Sequence, residues 1–136
     1  MKSQNGITLS SLIIYIIVMI IVIGVMASVS TMFYNNVNKL DNRTIEISKF
    51  NNFNTYFVKE IKLPNNGIDK IENNYILFKS GNSFLYQNQN IYYNDLMIVD
   101  NVKNLVFTRE SESVINLNIS FEEYSKQIKY KIEEIY

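Results

Sequence analysis

Apolar residues in this chain first form an unbroken block and only later alternate with polar ones. Lys2 is the only charged side chain ahead of Lys39, and positions 3 to 38 carry none. Leu12 to Ala27 (LIIYIIVMIIVIGVMA) is apolar throughout, interrupted only by Tyr15 and Gly24. Extended to Ile7 and Met32, the uncharged stretch is 26 residues. About 20 helical residues at about 1.5 Å each cross a hydrocarbon core of about 30 Å, so the stretch is long enough to span. Its β-branched residues disfavour helix in water, but a lone segment in lipid has no other way to satisfy its backbone. The rest of the chain is too short to enclose such a helix. The expectation is a single membrane-inserted helix, with Lys2 and the chain amine in the cytoplasm and the polar remainder outside. Phe33 and Tyr34 would then lie at the outer interface.

Helical periodicity continues past the block. Phe33, Val37, Leu40, Ile47, Phe50, Phe53, Phe57 and Ile61 recur at intervals of three, four or seven, with Thr44 in the one gap. Polar residues from Asn35 to Lys59 fill the positions between, which makes one apolar stripe on a helix. The asparagines at 35, 36, 38 and 42 lower helix propensity and are a candidate kink. Leu63-Pro64-Asn65-Asn66-Gly67 is a stop signal. A helix from Ile7 to Leu63 would be roughly 85 Å long. Its first half suits lipid or a helical bundle, and its second half must pack on something folded.

Beyond Gly67 the period falls to two. Tyr75-Lys79 and Ser83-Gln87 flank a turn at Ser80-Gly81-Asn82, and Asn90-Tyr93 and Leu96-Val99 flank Asn94-Asp95. Val102-Thr108, Val114-Phe121 and Lys126-Ile132 follow, the middle one alternating most strictly. The short connections predict an antiparallel meander whose apolar face covers the helix stripe, giving an α+β domain. The chain therefore divides into a flank at 1–6, an apolar helix at 7–30 and an extracytoplasmic α+β domain at 31–136.

Composition narrows the function. The 136 residues hold 13 basic and 13 acidic side chains, so bulk electrostatic attraction to nucleic acid is not expected. With no cysteine and no histidine, thiol and imidazole catalysis and their metal sites are excluded. No glycine-rich phosphate loop is present among the four glycines, and no cofactor is expected. Isoleucine (21) and asparagine (20) are abundant, a bias that an AT-rich genome explains and that carries no function by itself.

The junction Gly6-Ile7-Thr8-Leu9-Ser10-Ser11-Leu12-Ile13-Ile14 resembles the processing site of type IV prepilins and pseudopilins. The resemblance implies a pilin-like lollipop, with a long N-terminal helix on an antiparallel sheet and no enzymatic activity. It implies that residues 1–6 are a leader peptide, that a prepilin peptidase cuts between Gly6 and Ile7, and that the amine of Ile7 is methylated. Its partners would be other pilin-like subunits, major and minor, the peptidase, an assembly platform membrane protein and membrane lipid. The fifth residue of the processed family chain is typically glutamate, held to neutralise a neighbour's N-terminus; here it is Ser11. That departure implies a minor pilin or pseudopilin, placed in a tip or initiation complex of a pilus, a type II secretion-like filament or a competence filament. The runs YILFKSGNSFLYQNQNIYY and IVDNVKNLVF are similar to the J-type pseudopilins of type II secretion and related competence subunits.

Other candidates weigh less. Glu122-Glu123 and Glu133-Glu134 point to opposite strand faces and cannot converge on one substrate atom. Asp95 and Asp100 lack calcium-loop spacing, and Lys126, Lys129 and Lys131 lie among glutamates that oppose DNA. Two other readings remain: a single-span surface-anchored binding domain, and a secreted protein whose signal peptide is cut near Ala27.

Overall fold

A computed structural model describes residues 5–132, with side chains from Thr8. Residues 1–4 and the Glu133-Glu134 pair lie outside the described residues. The chain divides into two compact units, one through Leu40 and one from Asp41.

One helix, α1, runs Asn5–Ile61 without interruption through the asparagines at 35, 36, 38 and 42. It ends where the sequence demands. Leu63 precedes Pro64 and is pushed out of the helical region, and Leu63 N–H bonds Glu60 O (3.3 Å) in a tighter last turn. Asn65 follows at φ 60°, a left-handed position asparagine tolerates.

Eight strands follow: β1 (Ile68–Glu72), β2 (Tyr75–Phe78), β3 (Ser83–Gln87), β4 (Asn90–Tyr93), β5 (Leu96–Val99), β6 (Asn104–Ser111), β7 (Val114–Ser120) and β8 (Ser125–Lys131). All neighbours are antiparallel and sequential, so the architecture is α+β as expected. The meander is divided, however, into a five-stranded sheet (β1–β5) and a three-stranded sheet (β6–β8). At the free edge of β5, Asn52 Nδ2 of α1 donates to Ile98 O (2.8 Å), and just past the strand Lys49 Nζ donates to Asp100 O (3.3 Å). Side chains at an edge help guard it against foreign strands. β6 passes beside the β1 end of that sheet, where Phe107 N–H donates to Asn73 O (2.9 Å).

Strand β1 is an element that alternation did not predict. Ile68 and Ile71 are out of phase for a regular strand, and a bulge between Ile68 and Lys70 brings both back to the inner side. The two-residue turns at Asn88-Gln89 and Asn94-Asp95 place all four residues at positive φ, as the primed hairpin turns require.

The core lies between α1 and the inner faces of both sheets. Phe50, Phe53, Phe57 and Ile61 are buried, together with Ile76, Phe78, Phe84, Leu105, Phe107, Ile115, Leu117 and Ile119. Phe57 is the hub: its ring lies 5.2 Å from Phe84 and 5.9 Å from Phe78 on one sheet, and 5.8 Å from Phe107 and 4.9 Å from Tyr130 on the other. The stripe is thus functional only from Phe50 onward. Phe33, Val37 and Leu40 share its period but are exposed, and Ile47 is half-buried.

Candidate functional site

The N-terminal part of α1 has no inner side. Every side chain from Thr8 to Ile45 is exposed, including the whole Leu12–Ala27 block. The helix is long and apolar enough to cross a membrane. Lipid, unlike water, imposes no penalty on such a surface and requires the hydrogen-bonded backbone the helix supplies.

Within it the few hydroxyls are turned onto their own helix. Ser11 Oγ donates to Thr8 O (3.0 Å), Ser28 Oγ to Gly24 O (2.9 Å) and Thr31 Oγ1 to Ala27 O (3.0 Å). The Ser11 hydroxyl is thus satisfied within its own helix. Gly6 and Ile7 lie in the first turn by backbone. No acidic side chain stands between Thr8 and Leu40.

Several of the other sequence candidates are absorbed by local pairing, while Asp95 in the turn after β4 and Lys131 at the end of β8 are exposed. Asp100 Oδ1 meets Lys49 Nζ at 2.8 Å, and the hydrogen bond from that ammonium holds the Asp100 carboxyl below its usual range. Lys129 pairs with Glu110 (2.7 Å), and Lys126 sits 5.0 Å from the Phe50 ring centroid. The N–H groups of Glu122 and Glu123 donate to the Glu46 carboxylate (3.3 and 2.9 Å), so this pair anchors a loop to α1 and converges on no substrate position. Among the described residues no cluster of acidic side chains suits a metal ion.

One constellation escaped sequence reasoning. Glu60, one position before the final stripe residue, is 1% exposed. Its Oε1 accepts from Tyr93 Oη (2.6 Å) and Asn82 Nδ2 (2.9 Å), and its Oε2 from Asn66 Nδ2 (2.9 Å) and Ser80 Oγ (3.0 Å). No cation takes part, so four neutral donors replace the water the carboxylate loses. Burial, then the bond to Glu60, pushes the Tyr93 hydroxyl up to about 12. Asn66 is itself buried, with Oδ1 accepting from Ser80 N–H (2.8 Å). Both carboxylate oxygens are saturated and closed to solvent, which leaves no position for a reacting atom. The arrangement is a clamp: it ties the end of α1 to the turn between β2 and β3 and to the end of β4. The available signal was a charged residue in phase with an apolar stripe. Its four partners were not readable, because they come from two turns and a strand end that only the folded sheet brings together.

Compared with protein-family models, with curated proteins and with solved structures, the chain matches none.

Proposed function

We propose that this protein is a minor pilin or pseudopilin, a non-catalytic subunit of a type IV pilus-like, type II secretion-like or competence filament. The observation that carries the reading is the exposed, charge-free helix from Thr8, which follows the Gly6-Ile7 junction and leads in one continuous element into an α+β domain. A soluble protein would have to bury that surface; a subunit that moves from membrane to filament needs it bare. In this reading Lys2 stays in the cytoplasm, the unit from Asp41 is extracytoplasmic, and the mature chain begins at an N-methylated Ile7. Intact mass and N-terminal peptide mapping of membrane-extracted protein test it. A mature terminus at Ser28 refutes it in favour of a secreted protein, and an uncut chain in favour of a plain anchored domain.

Ser11 sharpens the assignment. An amine buried in lipid needs a carboxylate, and this chain has no acidic residue before Asp41 to offer a copy of itself. It can still donate its own amine to a neighbour bearing the glutamate. Cross-linking along the helix, in cells that also make the neighbouring pilin-like subunits, should capture heteromeric pairs, and Ser11→Glu should raise self-association. Fibres built mainly of the unaltered chain would overturn the minor-subunit reading.

A further inference from the structure

The two sheets end in four edge strands, and an edge is a row of backbone groups without ladder partners. Three of these edges are attended. Asn52 of α1 donates to Ile98 O on β5. β1 and β6 pack beside each other, where Phe107 N–H donates to Asn73 O (2.9 Å). The fourth edge is β8. Phe121 N–H donates to Tyr124 O (2.7 Å) and Ile132 N–H to Ser113 O (2.8 Å), so hydrogen-bonded pairs bracket the β7–β8 ladder. Such pairs alternate with non-bonded ones along an antiparallel ladder. Lys126, Ile128 and Tyr130 therefore bond to β7, while Ser125, Gln127, Lys129 and Lys131 turn N–H and C=O away from it. Among the described residues no backbone bond reaches this outward row.

We propose that the β8 edge takes an extended segment of another protein, which joins the three-stranded sheet as a further strand and alternates acidic with apolar side chains. Strand addition draws affinity from the main chain and selectivity from side chains. The main chain of β8 is accessible over its seven residues, because the side chains that would screen it are held on their own domain. Lys129 Nζ meets Glu110 (2.7 Å), Gln127 Nε2 donates to Asn116 Oδ1 (3.4 Å), and Lys126 lies over the Phe50 ring. An added strand sets its side chains alternately on the two faces of the sheet. On the inner side they lie beside half-buried Ile128, a place for apolar groups. On the outer side they lie beside Lys129 and Lys131, a place for carboxylates. Glu110 answers only the first of these lysines; Lys131 is exposed and in no ion pair among the described residues. Charge also decides against a second copy. From Ser125 to Lys131 the strand has three lysines and no carboxylate, so β8 on β8 brings like charges together. The lysines that keep copies apart select an acidic strand.

The probe is a capped peptide alternating glutamate and valine, matched to β8 in length and added to the full chain in a zwitterionic detergent. Amide hydrogen exchange is followed by NMR. At a peptide concentration about ten times Kd, exchange at Gln127, Lys129 and Lys131 should slow about 10-fold. Lys126, Ile128 and Tyr130, already bonded to β7, should change little. The matching lysine–valine peptide should not bind. Gln127→Pro removes one outward N–H at a position an edge strand tolerates and should abolish the protection. Lys131→Glu, at an exposed position, should weaken binding of the glutamate peptide and admit the lysine peptide. Absence of protection, equal binding of the two peptides, or protection that ignores both substitutions overturns the proposal. So does self-association that Gln127→Pro abolishes, which would assign the edge to a second copy. The filament reading is decided separately by the terminus at Ile7, and either can fail alone.

Discussion

Phe57 and Glu60 lie three residues apart on the same side of α1, both closed to water, and hold the domain by opposite chemistry. Phe57 joins two sheets through ring contacts that are individually weak, tolerant of direction and summed over many atoms. Glu60 joins two turns and a strand through four bonds that are strong, directional and costly if one is lost. The aromatic centre supplies cohesion. The clamp fixes where the loops sit, since Asn66, Ser80, Asn82 and Tyr93 must all reach the same carboxylate.

That contrast can be broken by substitution. Phe57→Asp places a lone charge among five rings and should prevent folding of the α+β unit, whereas Phe57→Ala should cost about 3–5 kcal/mol. Thermal melts by circular dichroism separate the two. If Phe57→Asp melts like wild type, the stripe does not face the sheets. Glu60→Ala removes one acceptor group and strands four donors, two on buried or half-buried turns; a loss of about 3 kcal/mol is expected. Glu60→Leu should be no better. A stabilised Glu60→Leu would mean that the clamp contributes position alone.

Alkaline titration sharpens the same comparison, because each region contains a tyrosine, half-buried at the clamp and buried at the ring cluster. Tyr93 at the clamp and Tyr130 at the ring cluster are both raised from 10.0 to about 12, each mainly by burial. Between those values the folded chain binds more protons than the unfolded one. Stability is therefore complete below about pH 10 and falls as pH rises towards 12. Tyr130→Phe should flatten the fall in a pH series of melts; an unchanged slope would show that Tyr130 titrates as if exposed. The smallest effect belongs to Lys49→Ala. Its pair with Asp100 is partly exposed, so less than about 1 kcal/mol is expected, measured by the same melts. A larger loss would show that the bond from Lys49 to Asp100 O matters to the edge of β5.

Much of this was legible in the sequence. The charge-free block, the stop at Leu63-Pro64 and the strict alternation of Val114–Ser120 each answer to a single local rule, and the structure follows them. What was hidden depends on distant parts of the chain. Phe33, Val37 and Leu40 keep the stripe's period, yet periodicity does not say where a covering sheet begins. Strand β1 was obscured by its bulge, which reconciles Ile68 with Ile71 only when β2 lies alongside. The bonds of Asn52 to Ile98 and of Lys49 to Asp100 join residues 46 and 51 positions apart, which no local pattern reports. Asparagine, set aside as compositional bias, proved to be structural: Asn65, Asn88, Asn94 and Asn101 all stand at positive φ.

Asn66 adds a matter of ageing. It precedes Gly67, and an asparagine before glycine is the pair most prone to lose ammonia, because the unhindered glycine nitrogen can close on the side-chain amide. That closure requires the amide to rotate free and become attackable by the backbone. Here it is held at both ends, the nitrogen by Glu60 and the oxygen by Ser80 N–H, and Asn66 itself is buried. The clamp that positions the turns therefore also slows the chain's own chemical clock. A domain that carries a lock of this kind gains working lifetime.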